Sequence, residues 1–252
     1  MNQTLAHPVV TATEQQLRTD LAAAFRLAVR FGWHEGVGNH FSVAVSDDGR
    51  QFLMNPRWRH FSHISASNLT LLDAEDTQTM DRPDAPDETA WCIHGRLHAL
   101  RPEARCVLHL HPPYATAVVG LADPQITPID QNTARFFRRV AYDFGFEGMA
   151  TSSAEGNRLA AALGDHSVMM MVNHGVLVAA PTVAEAFDQM YFLERACQTL
   201  VLALSTRKPL RVMSDEVAER TAQDWESYAP MQFAHFEELK RLLDREEPDY
   251  AR

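Results

Sequence analysis

The chain has 252 residues, enough for one large domain or two small ones with a substantial core. Its hydrophobic content of 46% and charged content of 22% are typical of soluble globular proteins. The formal net charge of −10 argues against a nucleic acid or an anionic membrane as partner, because both favour basic surfaces. The N-terminus MNQTLAHPVV lacks the basic start and apolar core of a secretory signal. We therefore expect a cytoplasmic protein that acts on a small molecule.

The first part of the chain predicts a helix, a hairpin and a second helix. Residues about 13–31 carry apolar side chains at helical spacing, and Thr11 stands three residues before Glu14 as in a capping box. HFSVAVS and QFLMN flank the turn signal DDG and predict a hairpin, and LTLLD predicts a short strand. After a polar, acidic loop, ETAWCIHGRLHALR has helical spacing and ends before Pro102.

The rest of the chain alternates between strands and helices. ARCVLHLH is a continuous apolar strand, PPYATAVVGL begins a helix with prolines, and a loop region follows. EGNRLAAALGD predicts a helix and SVMMMVNHGVLVAA two strands, before a long helix capped by Thr182 with Glu185 three residues later. The tail is helical in two pieces interrupted near Pro230. This alternation predicts a single α/β domain over residues 1–252, with a core at about 13–205 and a helical tail at about 213–247.

A pair of histidines stands at the end of the apolar strand. His109 and His111 are two residues apart, so both side chains point to the same face of the strand. Such a pair alone is also compatible with ordinary core residues. A third histidine, His174, follows the strand-like run MMMV and precedes Gly175, where the backbone can turn sharply. Three neutral imidazoles with an open coordination position are typical of a catalytic metal site.

The same residues carry a family resemblance. The run IHGRLHALRPEARCVLHLHPPYATAV, followed by NHGVLVA and a long helix, resembles the class II aldolase/adducin family, and GNHFSVAV with FLMNPRWRHFSHISASNLTLLD is similar to its upstream strands. The similarity covers residues 13–205. It implies a three-layer αβα sandwich with a central mixed sheet, and it places His109, His111 and His174 on the three metal ligands of the family. Adducin-type members lack these histidines, so the resemblance favours an enzyme.

The sequence also departs from the aldolases of this family. Their catalytic glutamate corresponds to Ala90, and the nearest acid is Glu88. The phosphate-binding loop of the aldolases corresponds to Arg57 and Trp58, whereas Asn39 keeps the aldolase-like pattern. The acid at position 88 would repel a phosphate group. A phosphorylated sugar is therefore not the expected substrate.

Further site residues follow from these departures. Arg57 and Arg59 are candidates for binding a substrate carboxylate, because arginine makes bidentate pairs with that group; the alternative is an exposed charge or a subunit salt bridge. Glu88 is a candidate acid or base, or simply a favourable acid at a helix N-terminus. His94 is a candidate proton donor or acceptor, or a packing residue. Tyr114 is a candidate hydrogen-bond donor to substrate, or a packing residue.

We predict a metal-dependent carbon–carbon lyase, with a decarboxylase of a hydroxy-aromatic or similar carboxylic acid favoured over an aldolase. A divalent ion, with zinc or manganese favoured and iron or cobalt as alternatives, would stabilise the charge that develops when a bond next to a carbonyl or phenolate breaks. A class II aldolase acting on a small non-phosphorylated or sugar-acid substrate, a non-heme iron oxygenase and a non-catalytic adducin-like module are the competing hypotheses. The resemblance further implies a homotetramer, and we expect the aromatic tail to cover part of an interface.

Overall fold

The computed structural model describes residues 13–145, 153–228 and 230–252. Helix α1, Glu14–Arg30, begins after Thr13, whose side chain accepts from the Gln16 backbone N–H. The helix is therefore where the sequence predicted it, but its cap is Thr13. Thr11, the predicted capping residue, lies outside the described residues.

A seven-stranded mixed sheet forms the centre of the molecule, with the strand order β3-β2-β1-β4-β7-β6-β5. The strands are β1 His40–Ala44, β2 Gln51–Met54, β3 Thr70–Asp73, β4 Cys106–Leu110, β5 Val140–Asp143, β6 Val168–Met171 and β7 Gly175–Ala180. β5 and β6 are parallel, and the other described neighbours are antiparallel. The predicted hairpin is β1 and β2, which pair antiparallel as expected.

Helices cover both faces of this sheet, which confirms the α/β sandwich. The helices after α1 are α2 Glu88–Leu100, α3 Pro113–Val119, α4 Gln131–Arg135, α5 Ser153–Leu163, α6 Val183–Ser205, α7 Asp215–Ser227 and α8 Pro230–Glu246. One apolar cluster joins α1, α3 and α6 to the face of β4 that carries Cys106, Leu108 and Leu110. A second cluster joins α2 and α5 to the opposite face, which carries Val107.

The alternation of side chains along β4 decides where its histidine points. Val107 and His109 share a face, and Val107 packs with residues of α2 and α5. His109 therefore lies on the α2 side of the sheet, at the end of the strand. β1 runs beside β4, with His40 opposite His109. The candidate site is thus built at one end of the two central strands, beneath α2.

Two elements lie in the stretch that the sequence analysis treated as a loop. α4 has five residues and begins with a reciprocal capping box between Asp130 and Thr133. β5 has four residues and lies at the edge of the sheet, parallel to β6. Both elements are too short to show a helical or strand periodicity. The prediction of a loop was therefore wrong for these residues.

The helical tail packs back onto the rest of the chain. α7 contacts α4, and α8 contacts α6 and α1. The Phe236 side chain is 1% exposed and lies against Phe187, while the His235 imidazole is 2.8 Å from the Asp188 carboxylate. Phe236 and His235 are thus used within the chain, whereas Tyr228 and Phe233 remain exposed. Among the described helices, none is long and apolar enough to cross a membrane.

Candidate metal centre

Three imidazoles converge at the end of β4. His109, His111 and His174 each offer one nitrogen to a group of atoms that all lie within 4.8 Å of one another. Their ring centroids are 4.8–5.0 Å apart, so the three rings surround a common point. The Nε2 atoms of His109 and His111 are 3.2 Å apart. The structure therefore brings together the three histidines that the sequence singled out as metal ligands.

Strand pairing explains why residues so distant in sequence meet here. Leu110 pairs with Val176 between β4 and β7, so the next position places His111 opposite Gly175. Met171 pairs with Gly175 between β6 and β7, and His174 occupies the tight turn between these strands. A Cβ atom at Gly175 would lie 2.2 Å from the His111 ring and 2.7 Å from the Leu110 carbonyl oxygen. Only glycine leaves room for the ring.

Hydrogen bonds define which nitrogen of each strand histidine faces the centre. Nδ1 of His109 lies 3.1 Å from the Val176 carbonyl oxygen, which can only accept a hydrogen bond. Nδ1 of His111 lies 2.6 Å from a Glu35 carboxylate oxygen. Both histidines therefore carry their proton on Nδ1 and present the lone pair of Nε2. Metal-binding histidines are commonly oriented in this way by a carbonyl or a carboxylate.

The environment keeps His109 and His174 unprotonated at neutral pH. Burial, followed by the neighbouring histidines, holds the pKa of His109 well below its usual value. Burial and the nearby His111 lower the pKa of His174 to about 4, although Asp143 and Glu155 act in the opposite direction. Neutral imidazoles are the form that binds a metal.

A line of buried polar side chains runs beneath the cluster. Nδ1 of His40 lies 2.7 Å from Nε2 of His94, and the other nitrogen of His94 lies 2.5 Å from the Ser42 hydroxyl. That hydroxyl is 2.7 Å from Nε2 of His98, whose Nδ1 is 3.0 Å from the Ala104 carbonyl oxygen. The His40 ring in turn lies 4.8 Å from the His109 ring.

The sequence proposed His94 as a proton donor or acceptor to substrate. The structure places this side chain entirely out of contact with solvent, with both ring nitrogens hydrogen-bonded inside the protein. His94 therefore lies behind His40 and can act on a bound molecule only through it. Burial lowers the pKa of His40 to about 3 and that of His98 to about 4.

The start of α2 has no acid at the position of the family glutamate, but two acids precede that position. Ala90 is fully buried in an apolar cluster with Phe52, Met54 and Leu72, so the position of the family glutamate holds no polar group here. Glu88 is exposed on the first turn of the helix. Asp87 caps this helix, and its charge favours the protonated form of His40. The structure thus places Asp87, rather than Glu88, electrostatically close to the buried histidines.

The two candidate arginines follow strand β2. Arg57 and Arg59 come three and five residues after its last residue, Met54. Arg57 and Arg59 line a cavity of about 380 Å³, together with Trp58, Asn68 and Asp84. The Arg57 guanidinium lies over the Trp58 ring at 4.6 Å. The lining of this cavity does not include the three cluster histidines.

Asn39 directly precedes His40 of β1, and Tyr114 comes three residues after His111. Asn39 has a positive φ of 70°, and its Oδ1 is buried without a hydrogen-bond partner in the described structure. Tyr114 follows the proline pair after His111, and its ring packs against the main apolar core. Its backbone N–H and that of Ala115 donate to the Glu194 carboxylate, which burial gives a pKa of about 7. Glu194 thus anchors the backbone directly after the strand histidines.

Sequence reasoning did not identify Glu35, Ser42 or Glu194. Glu35 lies in the loop between α1 and β1 and approaches His111 only in the folded chain. Ser42 has the pattern of an ordinary polar position in an alternating strand. Only its place on the face of β1 towards α2 distinguishes it, and that face is not known before the fold. Glu194 stands at a buried position of α6, where a carboxylate is unusual without a partner. That last anomaly is visible in the sequence as an acid on the apolar face of a helix.

Comparison with known proteins identifies the family. The model of the Class II Aldolase and Adducin N-terminal domain matches residues 19–201. The chain belongs to the class II aldolase and adducin family. A putative aldolase class 2 protein of Caulobacter vibrioides is 33% identical over 244 residues, covering 96% of this chain and 94% of that protein. A crystal structure of an aldolase II superfamily protein from Pseudomonas syringae has a TM-score of 0.87 and 34% identity, covering 97% of this chain and 98% of that one.

A member with a named reaction also matches. Decarboxylase NovR of Streptomyces niveus is 27% identical over 218 residues, which cover 83% of this chain and 80% of that protein. These similarities establish the family and its fold.

Proposed function

We propose that this protein is a metal-dependent carbon–carbon lyase that decarboxylates a hydroxy-aromatic or similar carboxylic acid. The observation that carries the proposal is the convergence of His109, His111 and His174 with two of the Nε2 lone pairs directed inward. The resemblance of the chain to a named decarboxylase supports the reaction class. The two arginines that line one cavity support an acid as substrate.

The donor set fits a divalent ion. Two nitrogens bound at 2.0–2.1 Å to a tetrahedral ion would be about 3.3 Å apart, and the Nε2 atoms of His109 and His111 are separated by 3.2 Å. Gly175 leaves space for the His111 ring, and hydrogen bonds to the Val176 carbonyl and the Glu35 carboxylate orient the His109 and His111 rings. We propose zinc, which imidazole ligands suit, or manganese, and keep iron and cobalt as alternatives.

Decarboxylation sets a simple chemical requirement. The bond between the ring and the carboxylate carbon breaks, its electron pair stays on the ring carbon, and one proton must reach that carbon. When bound, a divalent ion supplies a Lewis acid that stabilises negative charge on the neighbouring hydroxyl oxygen. The protein must therefore orient the carboxylate and deliver a proton.

The residues around the cluster are suited to these tasks. Arg57 and Arg59 would hold the carboxylate in the cavity that they line. Asn39 presents a buried, unpaired side-chain oxygen and would accept a hydrogen bond from the substrate. Tyr114, whose ring packs against the main apolar core, remains a candidate hydrogen-bond donor to substrate, and Asp87 joins Glu88 as a candidate acid or base at the start of α2. The apolar surroundings of Ala90 are inconsistent with a glutamate-dependent aldol cleavage at that position.

The test measures metal and products together. Protein stripped with a chelator and reloaded separately with Zn²⁺, Mn²⁺, Co²⁺ or Fe²⁺ would be offered hydroxy-aromatic acids, sugar acids and free aldols. Carbon dioxide release without aldehyde, dependent on the ion, is the expected result. His111→Ala should lose both bound metal and activity, whereas the matched control His63→Ala, at an exposed histidine, should keep both.

Other outcomes would replace the proposal. Aldehyde release without carbon dioxide would identify an aldolase, and Fe²⁺-dependent consumption of dioxygen would identify an oxygenase. A protein that binds no ion and has an activity unaffected by a chelator would refute a metal-dependent reaction, and one with neither bound ion nor activity would belong to the non-catalytic, adducin-like class.

We also propose that the protein forms a homotetramer, as its resemblance to the family enzymes implies. Tyr228 and Phe233 of the tail, 63% and 43% exposed, are the aromatic side chains left to cover an interface. Sedimentation of the purified protein as a monomer would contradict this assignment.

A further inference from the structure

The hydrogen bonds in the buried polar line beneath the cluster can run in only one donor-to-acceptor direction. A carbonyl oxygen can only accept, so Nδ1 of His98 must carry a proton and donate to Ala104. A neutral imidazole then has its lone pair on Nε2, and the Ser42 hydroxyl must donate to it. With its proton committed to His98, the hydroxyl oxygen is left to accept.

The remaining two links follow from the same logic. Since the Ser42 oxygen accepts, Nδ1 of His94 must donate to it. Nε2 of neutral His94 is then a lone pair, which accepts the Nδ1–H of His40. All three histidines carry their proton on Nδ1, and Nε2 of His40 is left as a lone pair. One backbone carbonyl thus sets the tautomers of three imidazoles in series.

Nε2 of His40 is available to a ligand. No hydrogen bond between described residues occupies it, and it is not among the fully buried atoms that lack a partner. The ring is 7% exposed and lies beside His109, at a tilt of 31°. Its electrostatic neighbours from the packed elements are Asp87 of α2 together with the cluster histidines His111 and His174.

Four buried polar side chains in one line are costly unless every hydrogen bond is made, and a line that is fully satisfied holds one arrangement. Here the line ends at the candidate centre instead of closing on itself. We infer that the Ala104–His98–Ser42–His94 line makes His40 a hydrogen-bond acceptor at the metal centre, which takes an O–H donor and so selects a hydroxy acid. The tautomer of His40 rests on hydrogen bonds alone, whereas the ligand assignment also rests on the proposed function.

This arrangement provides a group that the family comparison leaves open. Ala90 supplies no acid or base, and His94 is buried beneath His40. His40 would touch the substrate hydroxyl, while Ser42, His94 and His98 act as positioning residues. Positioning of His40 then explains why the protein buries Ser42, His94 and His98 behind it.

The first experiment needs neither metal nor substrate. Long-range ¹H–¹⁵N correlation spectra of the full chain with labelled histidine report which ring nitrogen is protonated. The inference predicts Nδ1–H for His40, His94 and His98, and a mixture of tautomers or loss of the Nδ1–H form at His40 in Ser42→Ala. Wild-type spectra with the proton of His40 on Nε2 would overturn the inference, whatever happens in the variant.

The second experiment tests the ligand on Zn²⁺-loaded protein. Calorimetry would compare 4-hydroxybenzoate with 4-methoxybenzoate, which keeps the ring and the acid but has no O–H to donate. Wild type should prefer the hydroxy acid by about two- to tenfold, the range expected for one hydrogen bond. His40→Phe keeps an aromatic ring against His109 and should lose that preference, with its bound zinc measured as the control. An unchanged preference in His40→Phe would overturn the role of His40.

The two experiments fail separately. If neither acid binds the wild-type protein, the proposed substrate class and the ligand assignment both fall, while the spectra still decide the tautomer. If the acids bind but the spectra show Nε2–H on His40, the line does not direct His40 and the proposed function survives.

Discussion

Removing the Glu35 carboxylate should weaken metal binding without weakening the fold. Glu35 accepts from Nδ1–H of His111 at 2.6 Å and is the group that orients this ring from the solvent side. Substitution of such an outer partner typically costs 10–100-fold in metal affinity. Because the Glu35 side chain is 57% exposed, water can replace part of the interaction, and we expect the lower end, about tenfold or about 1.4 kcal/mol.

Two variants separate the charge from the hydrogen bond. Glu35→Ala removes both, whereas Glu35→Gln keeps an oxygen that can accept from His111, so its loss of affinity should be smaller. Competition with a chromophoric chelator measures the Zn²⁺ dissociation constant, and denaturant unfolding of the metal-free protein tests the fold. The free energy of unfolding should change by no more than about 0.5 kcal/mol, as for other surface substitutions. Glu35→Ala with wild-type Zn²⁺ affinity would refute the role of the carboxylate.

Two further predictions concern the geometry and the protonation of the site. Gly175→Ala should abolish stoichiometric Zn²⁺ binding, because its Cβ would displace the His111 ring and press on the Leu110 carbonyl oxygen. The control is Gly164→Ala, at a positive-φ glycine where the added Cβ would have no atom within 4 Å. Metal analysis of both variants would show the difference. Acid should destabilise the protein between pH 6.5 and 4, since burial lowers the pKa of His98 to about 4 and the unfolded chain then takes up a proton that the folded chain does not. With respect to His98 the protein has its full stability above pH 6.5, and it loses about 3 kcal/mol of that stability as the pH falls through that window. Unfolding titrations should show a shallower pH slope in His98→Gln than in wild type, and an equal slope would contradict the assignment.

The strand histidines could be predicted because their geometry is local. Side chains two apart in a strand share a face, so His109 and His111 were paired before the fold was known. His174 could be added because a histidine before glycine marked the turn between two apolar runs. The long helix α6 and its Thr182 cap were also predictable, since a capping box and a helical pattern both lie within the segment.

The parts that could not be predicted depend on contacts between distant segments. The distance between Glu35 and His111 is set by the path of the loop before β1, which no periodicity describes. The His40–His94 contact joins a strand to a helix 54 residues later, and its importance becomes visible only once β1 is known to lie beside β4. The four-residue edge strand β5 was missed because its pairing with β6, which comes later in the chain, is not visible in its own sequence.

The polar line also helps to explain how the chain places its histidines on the correct face. A slip of one residue in the pairing of β1 with β4 would turn His40 away from His109 and move its neighbours to the opposite face. In β4 the apolar pattern does little to prevent this, because Val107 and Leu108 are both buried and either face is apolar. In β1, however, a slip would bury His40 and Ser42 against the apolar α1 side, and both ring nitrogens of His94 and Nε2 of His98 would lose their partners beneath α2. Unpaired buried polar groups each cost about 1–3 kcal/mol, so the line that orients His40 also favours the register that assembles the candidate centre.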